Sequence, residues 1–300
     1  EFRRVLFRSD LTRGPLLRAT LIQLASDNYR LYFAIHHSVI DAESFVHIIQ
    51  ELEIIYTAFC QGLPSPLPEL PIQYADFAVW QRQRLLGVVL SHQLAYWQKQ
   101  LENLPQLKLP TDRPRTPQTT FTGSFVRHQL PFELIENLKT LSRQESVTLF
   151  VTFATAIKVL LYRYSTQEDI VLGTVISQRD RPELEGIIGN FLNALVLRSD
   201  LSGNPSFCEL LKRVRNVCLS AYSHQDVPFQ KVVEALHPDY QFTQNPLFQV
   251  AFTIDPALVT EDKLGWKAFY FEVDPQISKF DITFYLLEEE SEGMVLLTEY

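Results

Sequence analysis

Apolar positions follow two rhythms along this chain, and the changes between them outline its elements. Leu21 to Ile35 is crowded with aliphatic and aromatic residues on either side of Ser26-Asp27-Asn28, the pattern of two strands joined by a turn. Within it, Tyr29-Arg30-Leu31-Tyr32-Phe33-Ala34-Ile35 is apolar enough to predict a largely buried strand. From Ala42 to Gln61 the rhythm turns helical through Phe45, Ile48, Ile49, Leu52, Ile55 and Tyr56, and the helix should end near Gly62. A proline-rich link from Pro64 to Pro71 follows. Tyr74 to Leu104 is helical again, with an interruption around Gly87.

Between Leu109 and Pro117, prolines alternate with polar and charged residues, which marks the best boundary in the chain. The expected division is a partial N-terminal lobe over 10–112, a linker over 113–124 and a C-terminal lobe over 125–300. In the second lobe Phe125 to Leu130 predicts a strand and Phe132 to Ser142 a helix. Ser146-Val147-Thr148 offers a cap for a long apolar helix reaching Tyr164. Asp169 to Val175 reads as a buried strand and Ala194 to Arg198 as another. Helices over Ser206 to Tyr222 and Phe229 to Leu236, and strands over Phe248 to Ile254 and Phe280 to Glu288, complete the pattern. The mixture is α/β, without a glycine-rich phosphate loop or a repeat.

Composition narrows the function. With 300 residues, 46% of them hydrophobic, the chain can build a full core. A net charge of -8 argues against a general nucleic-acid surface. Cys60, Cys208 and Cys218 form no paired framework and show no metal-ligand spacing, so no metal is expected and a reducing cytoplasm fits. The longest apolar run, Leu149 to Leu161, is interrupted by Thr152, Thr155 and Lys158 and is too short to span a bilayer, so no membrane partner is expected. Residues 1–9 are basic but lack the apolar core and cleavage site of a signal peptide. They read as a non-native, adapter-like segment.

The candidate chemistry sits at His36-His37-Ser38-Val39-Ile40-Asp41-Ala42, where a strand gives way to a helix. Such a junction can hold an imidazole rigidly, and histidine is the side chain best suited to move a proton near neutral pH. A single histidine at a strand end is ordinarily structural. A doublet with Asp41 four residues after His37 is less common, yet it names no reaction alone.

Further blocks narrow the choice. His36 to Ala42 resembles the HHxxxDG motif of the condensation domains of non-ribosomal peptide synthetases. Tyr74-Ala75-Asp76-Phe77-Ala78-Val79-Trp80-Gln81 resembles the next block. Ile188-Gly189-Asn190-Phe191-Leu192-Asn193, His224-Gln225-Asp226-Val227-Pro228-Phe229 and Asn245-Pro246-Leu247-Phe248 follow in the family's order. The resemblance covers nearly the whole chain after Ser9. It implies a fold like chloramphenicol acetyltransferase, two α/β lobes in a V with a tunnel between them. It also implies peptide-bond formation, in which the amine of a downstream aminoacyl thioester attacks an upstream acyl or peptidyl thioester. No cofactor would be bound directly. Phosphopantetheine arms of carrier proteins would tether both substrates, and neighbouring synthetase domains would be partners.

By that resemblance His37 carries the catalysis, either accepting the amine proton or hydrogen-bonding the amine and the tetrahedral intermediate. His36 supports the turn. Asp41 makes a structural ion pair, with Arg179 the first candidate partner and Arg30 a weaker one. Gly189 and Asn193 would line the tunnel, Asn193 orienting substrate. Tyr74, Phe77 and Trp80 should pack the lobe, and His224 and Asp226 could cap the helix at Phe229.

The pattern departs from the family in several places. Ala42 stands for the usual glycine, where its methyl could strain a tight turn or narrow the channel. Gln244 stands where an arginine often precedes the Asn245 block. The family's first two motifs and last helix have no counterpart here, so the chain reads as a fragment, expected to be inactive or nearly so as written. No DFGWG block of the plant-type acyltransferases is present, and the segment at Gly189 to Asn193 separates this chain from epimerisation relatives. Cyclising relatives replace the histidines by aspartates. The alternative from another class is a non-catalytic domain of the same fold that recruits carriers or enzymes.

Overall fold

The computed structural model describes residues 9–112, 122–236, 245–255, 278–289 and 293–300. Residues 1–8 of the expected non-native segment, most of the linker expected at 113–124, and Gln244 lie outside them. In chain order the elements are β1 (Leu17–Ala25), β2 (Asn28–Ile35), a 3-10 turn (His37–Val39), α1 (Ala42–Cys60), α2 (Tyr74–Arg84) and α3 (Gly87–Gln100). Then come β3 (Phe125–Gln129), α4 (Phe132–Gln144), α5 (Leu149–Ser165), β4 (Asp169–Ser177), the short α6 (Pro182–Glu185) and β5 (Leu192–Asp200). The chain continues through α7 (Phe207–Tyr222), α8 (Phe229–Leu236), β6 (Val250–Asp255), β7 (Ile282–Glu289) and β8 (Gly293–Glu299).

These elements form two compact units, and each is built from separate stretches of chain. The first takes Glu1–Arg82 and Ser177–Leu192, the second Gln83–Ile176 and Asn193–Tyr300. These boundaries differ from the sequential division expected around 113–124, for two physical reasons. Trp97 on α3 is buried in the core of the second unit. The 177–192 stretch joins the first unit because Arg179 and the backbone of Gly189 and Phe191 bind the start of α1.

In the first unit β1 and β2 pair antiparallel, Leu17 opposite Ile35 and Leu21 opposite Leu31. Among the described residues the ladder has two strands, and β2 is less covered than its composition predicts. Tyr29 to Leu31 are exposed and Tyr32 to Ile35 half-buried. Helix α1 starts at an Asp41 cap and stops as Gly62 turns to φ +70, a left-handed conformation that glycine adopts without a Cβ clash. A small core gathers Phe77 of α2 with Leu184, Ile187 and Phe191.

The second unit is built on a sheet of order β3-β8-β7-β6-β4-β5. Strand β6 runs parallel to β4 and β7, and β8 runs antiparallel to both β7 and β3. Periodicity alone does not reveal β8, which the sheet places between β3 and β7. Ile170, Val171 and Leu172 of β4 and Leu195, Val196 and Leu197 of β5 are all buried. Neighbouring residues on a strand point to opposite faces, so both faces of the sheet are covered here. Arg198 on β5 forks onto Asp169 at the start of β4, its Nη2 2.7 Å from Oδ2, and donates through Nη1 to Gln100 O at the end of α3 and Glu102 O just past it. Thr148 caps α5 through Val151 N, and Ser206 with Glu209 forms a capping box on α7.

Lys158 of α5 is fully buried, and its ammonium donates to Ile170 O on β4 and Leu197 O on β5. Burial pushes its pKa down to about 7, against opposing help from Cys218 and Asp169, while burial pushes the Cys218 thiol up to about 11. Above about pH 7 the unfolded chain therefore holds a proton on this lysine that the folded protein has released. Lys158 then makes stability rise with pH, by at most about 1.4 kcal/mol per pH unit, until Cys218 begins to oppose it near pH 9. Urea unfolding at pH 7, 8 and 9 should show the wild type gaining stability relative to Lys158→Met as pH rises. A difference that stays constant across that range would show that the buried amine does not titrate there.

Candidate active site

The turn that carries the histidines is held at both ends. His36 N–H donates to Leu16 O across the end of the hairpin, 2.8 Å away. The buried Asp41 opens α1, its Oδ1 accepting from Ser44 N–H at 2.7 Å. Between these anchors the two histidines are fixed in opposite ways. The Nδ1 of His36 accepts from Ser38 N–H at 3.1 Å, so its neutral ring carries the proton on Nε2. The Nδ1 of His37 lies 2.7 Å from Ile40 O. A carbonyl oxygen can only accept, so the neutral His37 ring carries its proton on Nδ1 and leaves a lone pair on Nε2. His37 is exposed. Of the doublet, His37 is the one that presents a base.

Asp41 is the centre of a buried network. Arg179 Nη2 lies 3.2 Å from Asp41 Oδ1 and 3.3 Å from Oδ2, and the two side chains are 2% and 1% exposed. Phe191 N–H donates to Oδ2 at 3.0 Å. Burial pulls the Asp41 pKa upward, but the Ser44 and Phe191 hydrogen bonds and the Arg179 charge outweigh it and hold the carboxyl below its usual range. Arg179 also donates through Nη1 to Leu184 O and Ile187 O at 2.6 and 2.8 Å, and its guanidinium lies 4.1 Å from the centre of the Phe191 ring. Its Nε lies 3.5 Å from Glu43, too long for a hydrogen bond, and Glu43 is half exposed, so that contact adds little. Arg30, the weaker candidate, is exposed on β2.

Ser44 completes the network. Its hydroxyl accepts from Arg179 Nη2 at 2.7 Å and Gly189 N–H at 3.0 Å, and donates to Gly189 O at 2.8 Å. The motif does not single out Ser44. Its place three residues after Asp41 is the position an N-cap bonds, but its reach to Gly189 is a long-range contact without a local signal. Gly189 is required here because a Cβ would come 2.1 Å from the Tyr74 ring. Burial, then the Asp41 charge, push the Tyr74 phenol up, and it donates to Asn190 O at 2.7 Å. Asn190 in turn donates through Nδ2 to His37 O at 2.8 Å. Tyr74 and Phe77 pack on Phe191, and Trp80 packs on Phe77.

Other expected residues have different surroundings. Ala42 is exposed at the first position of α1 and has no positive φ, so its methyl strains no turn. Asn193 belongs to the second unit. Its two amide protons go to Gln225 O and Val227 O, and its oxygen accepts from Ala194 N–H and Phe229 N–H. All four hydrogen-bonding positions of that amide are engaged by backbone, and none is left to orient a substrate. The cap of α8 therefore comes from Asn193. Asp226 instead pairs with Arg84 at 3.0 Å, and His224 stacks on Tyr96 with ring centroids 3.9 Å apart. No single described helix is long and apolar enough to cross a membrane.

Comparison with known proteins places this arrangement in a family context. The Condensation domain family matches residues 6–300. A linear gramicidin synthase polypeptide of Brevibacillus parabrevis is 47% identical over 295 residues, covering 97% of this chain and 6% of the synthase. Phosphinothricin tripeptide synthetase of Streptomyces viridochromogenes is 38% identical over 94% of this chain and 26% of its own length. The chain thus spans a small part of these relatives. Among solved structures, the X-domain in its complex with OxyB from teicoplanin biosynthesis superposes with a TM-score of 0.85 at 25% identity, covering 97% of this chain and 66% of that one. The first condensation domain of the calcium-dependent antibiotic synthetase shares the fold, with a TM-score of 0.71 at 16% identity over 95% of this chain and 63% of its own.

Removing one member of a buried ion pair leaves the other charged and unpaired. Asp41→Ala should lower the free energy of unfolding by about 3–5 kcal/mol, measured by urea denaturation at pH 7. The folded pKa is depressed, so the contribution is present above about pH 4 and is lost as the pH falls through the folded value. The wild type and Asp41→Ala should therefore converge in acid. A loss under about 1 kcal/mol at pH 7 would show that Asp41 does not organise the turn.

Proposed function

The chain belongs to the Condensation domain family, and from that membership we propose that it joins an acyl or peptidyl thioester to the amine of an aminoacyl thioester. Its fold is the α/β fold like chloramphenicol acetyltransferase, and its relatives include large multimodular peptide synthetases. Both substrates would arrive on phosphopantetheine arms of carrier proteins, with neighbouring synthetase domains as partners. The observation that supports the reading is the exposed His37 ring, whose Nδ1–H is committed to Ile40 O and whose Nε2 carries the lone pair.

The chemistry needs little covalent assistance. A neutral amine attacks the thioester carbon, a C–N bond forms, and a tetrahedral intermediate collapses with loss of the C–S bond. Holding two tethered reactants in line supplies much of the rate. His37 Nε2 accepts the amine N–H, which orients the nitrogen lone pair toward the thioester. As the C–N bond forms, the same nitrogen can take the proton and return it to the departing thiolate. Asp41 and Arg179 are too buried to reach a substrate, and they hold the turn.

A second reading has one observation in its favour. The X-domain superposes closely and was solved with OxyB, so a recruiting role for this fold is real in that protein. The retained base of His37 favours catalysis in this chain.

His37→Ala in the full-length protein should lower amide formation by about 10²-fold or more, with the folded state intact by circular dichroism. An acyl-pantetheine donor and an aminoacyl-pantetheine acceptor serve as substrates. Turnover within about twofold of wild type would remove His37 from the chemistry and leave the recruiting role as the better reading.

A further inference from the structure

The histidine loop is tied to the rest of the first unit by more than the Asp41 network, and one tie reaches His37 itself. Asn190 is half-buried and fixed on three sides. Its Oδ1 accepts from Leu192 N–H at 3.0 Å, its own carbonyl accepts the Tyr74 phenol at 2.7 Å, and its Nδ2 donates to His37 O at 2.8 Å. The neighbouring Gly189 and Phe191 are clamped by Ser44 and Asp41. Asn190 therefore projects from a rigid strap.

We propose that Asn190 is a positioning residue for His37. The inference rests on the reading of His37 as the reacting base and names what aims it. The coupling runs through one residue's backbone. His37 lies in a 3-10 turn whose next residue, Ile40, returns to extended backbone at φ -152. The ring proton of His37 must reach the carbonyl of Ile40, so the bond at 2.7 Å depends on the orientation of the peptide between them. Asn190 Nδ2 fixes the carbonyl of His37, which sets one end of that peptide path. Without that donor the peptide joining His37 to Ser38 keeps only the bond from Ser38 N–H to His36 Nδ1, at 3.1 Å, and the His37 carbonyl is held less firmly. The ring then loses its fixed acceptor, and with it the bond that selects the Nδ1–H tautomer of the neutral imidazole. A base whose lone pair moves between Nδ1 and Nε2 is aimed at the amine only part of the time.

Two variants separate this role from a merely structural one. Asn190→Asp keeps the shape and the acceptor for Leu192 N–H but loses the donor to His37 O. Asn190→Ala loses both. Imidazole 15N shifts of His37, followed through its titration to the neutral ring, should show the Nδ1–H tautomer dominant in the wild type and depleted in both variants. With the acyl-pantetheine and aminoacyl-pantetheine pair, kcat should fall about tenfold while the KM for the acceptor stays within about twofold. A wild-type tautomer in both variants overturns the proposal. So does a change in Asn190→Ala that is absent from Asn190→Asp, because the bond to Leu192 would then be all that matters. So does an unchanged kcat in a protein whose His37→Ala variant is inactive. If His37→Ala keeps full amide formation, the reading of the reaction fails by itself, and the 15N shifts still decide whether Asn190 aims the ring.

Discussion

A carboxylate whose side chain is 1% exposed is stable as an anion only where its lone pairs find donors and its charge a partner. At Asp41 those donors come from the first turn of α1, from the 191 backbone and from Arg179, more than a hundred residues away. Their convergence gives one side chain three tasks. It starts a helix, it anchors the strap at 189–191, and it closes the loop that presents His37. The first unit depends on this because, among the described residues, its apolar cluster is small: Phe77, Leu184, Ile187 and Phe191 are its buried members. Where little hydrophobic surface is covered, a dense polar network, in which both Asp41 oxygens and both Arg179 Nη atoms find partners, supplies the rigidity.

That rigidity matters because the two adjacent histidines are chemically alike and differ only in their hydrogen bonds. One ring nitrogen faces a backbone N–H in His36 and a backbone carbonyl in His37. The change from donor to acceptor moves the imidazole proton from Nε2 to Nδ1 and so decides which residue offers a base. Neither local propensity nor motif spacing encodes that difference. It follows from the direction of two peptide planes within a turn of three residues.

The second unit shows the same division between local and distant causes. Thr148 before α5 and Ser206 with Glu209 before α7 are caps that the nearby sequence states, since donor and acceptor lie within three positions. The cap of α8 is supplied by Asn193, thirty-six residues earlier, and the residues beside that helix do other work. Strand β8 is recognised as part of the sheet only through its pairing with β3 and β7. The apolar run of β2 shows the reverse error. Its composition suits burial, but burial requires a covering layer, and among the described residues the strand pairs with β1 alone, in a ladder that leaves Tyr29 to Leu31 exposed.

By itself the sequence determined the kinds and rough limits of most elements, because hydrophobic period, capping residues and prolines act within a few positions of one another. It also determined the family, through blocks in a particular order, and it placed the histidine doublet at a strand-to-helix junction. Tertiary structure decided how 177–192 returns to the first unit and how Ser44 binds Gly189. It also decided that the Asn193 amide is engaged by backbone and that His37, of the two histidines, carries the free lone pair. These are long-range or orientational matters. A carboxylate, an amide or an imidazole has the same formula wherever it stands, and its protonation and partners are set by whichever groups the fold brings within about 3 Å of it.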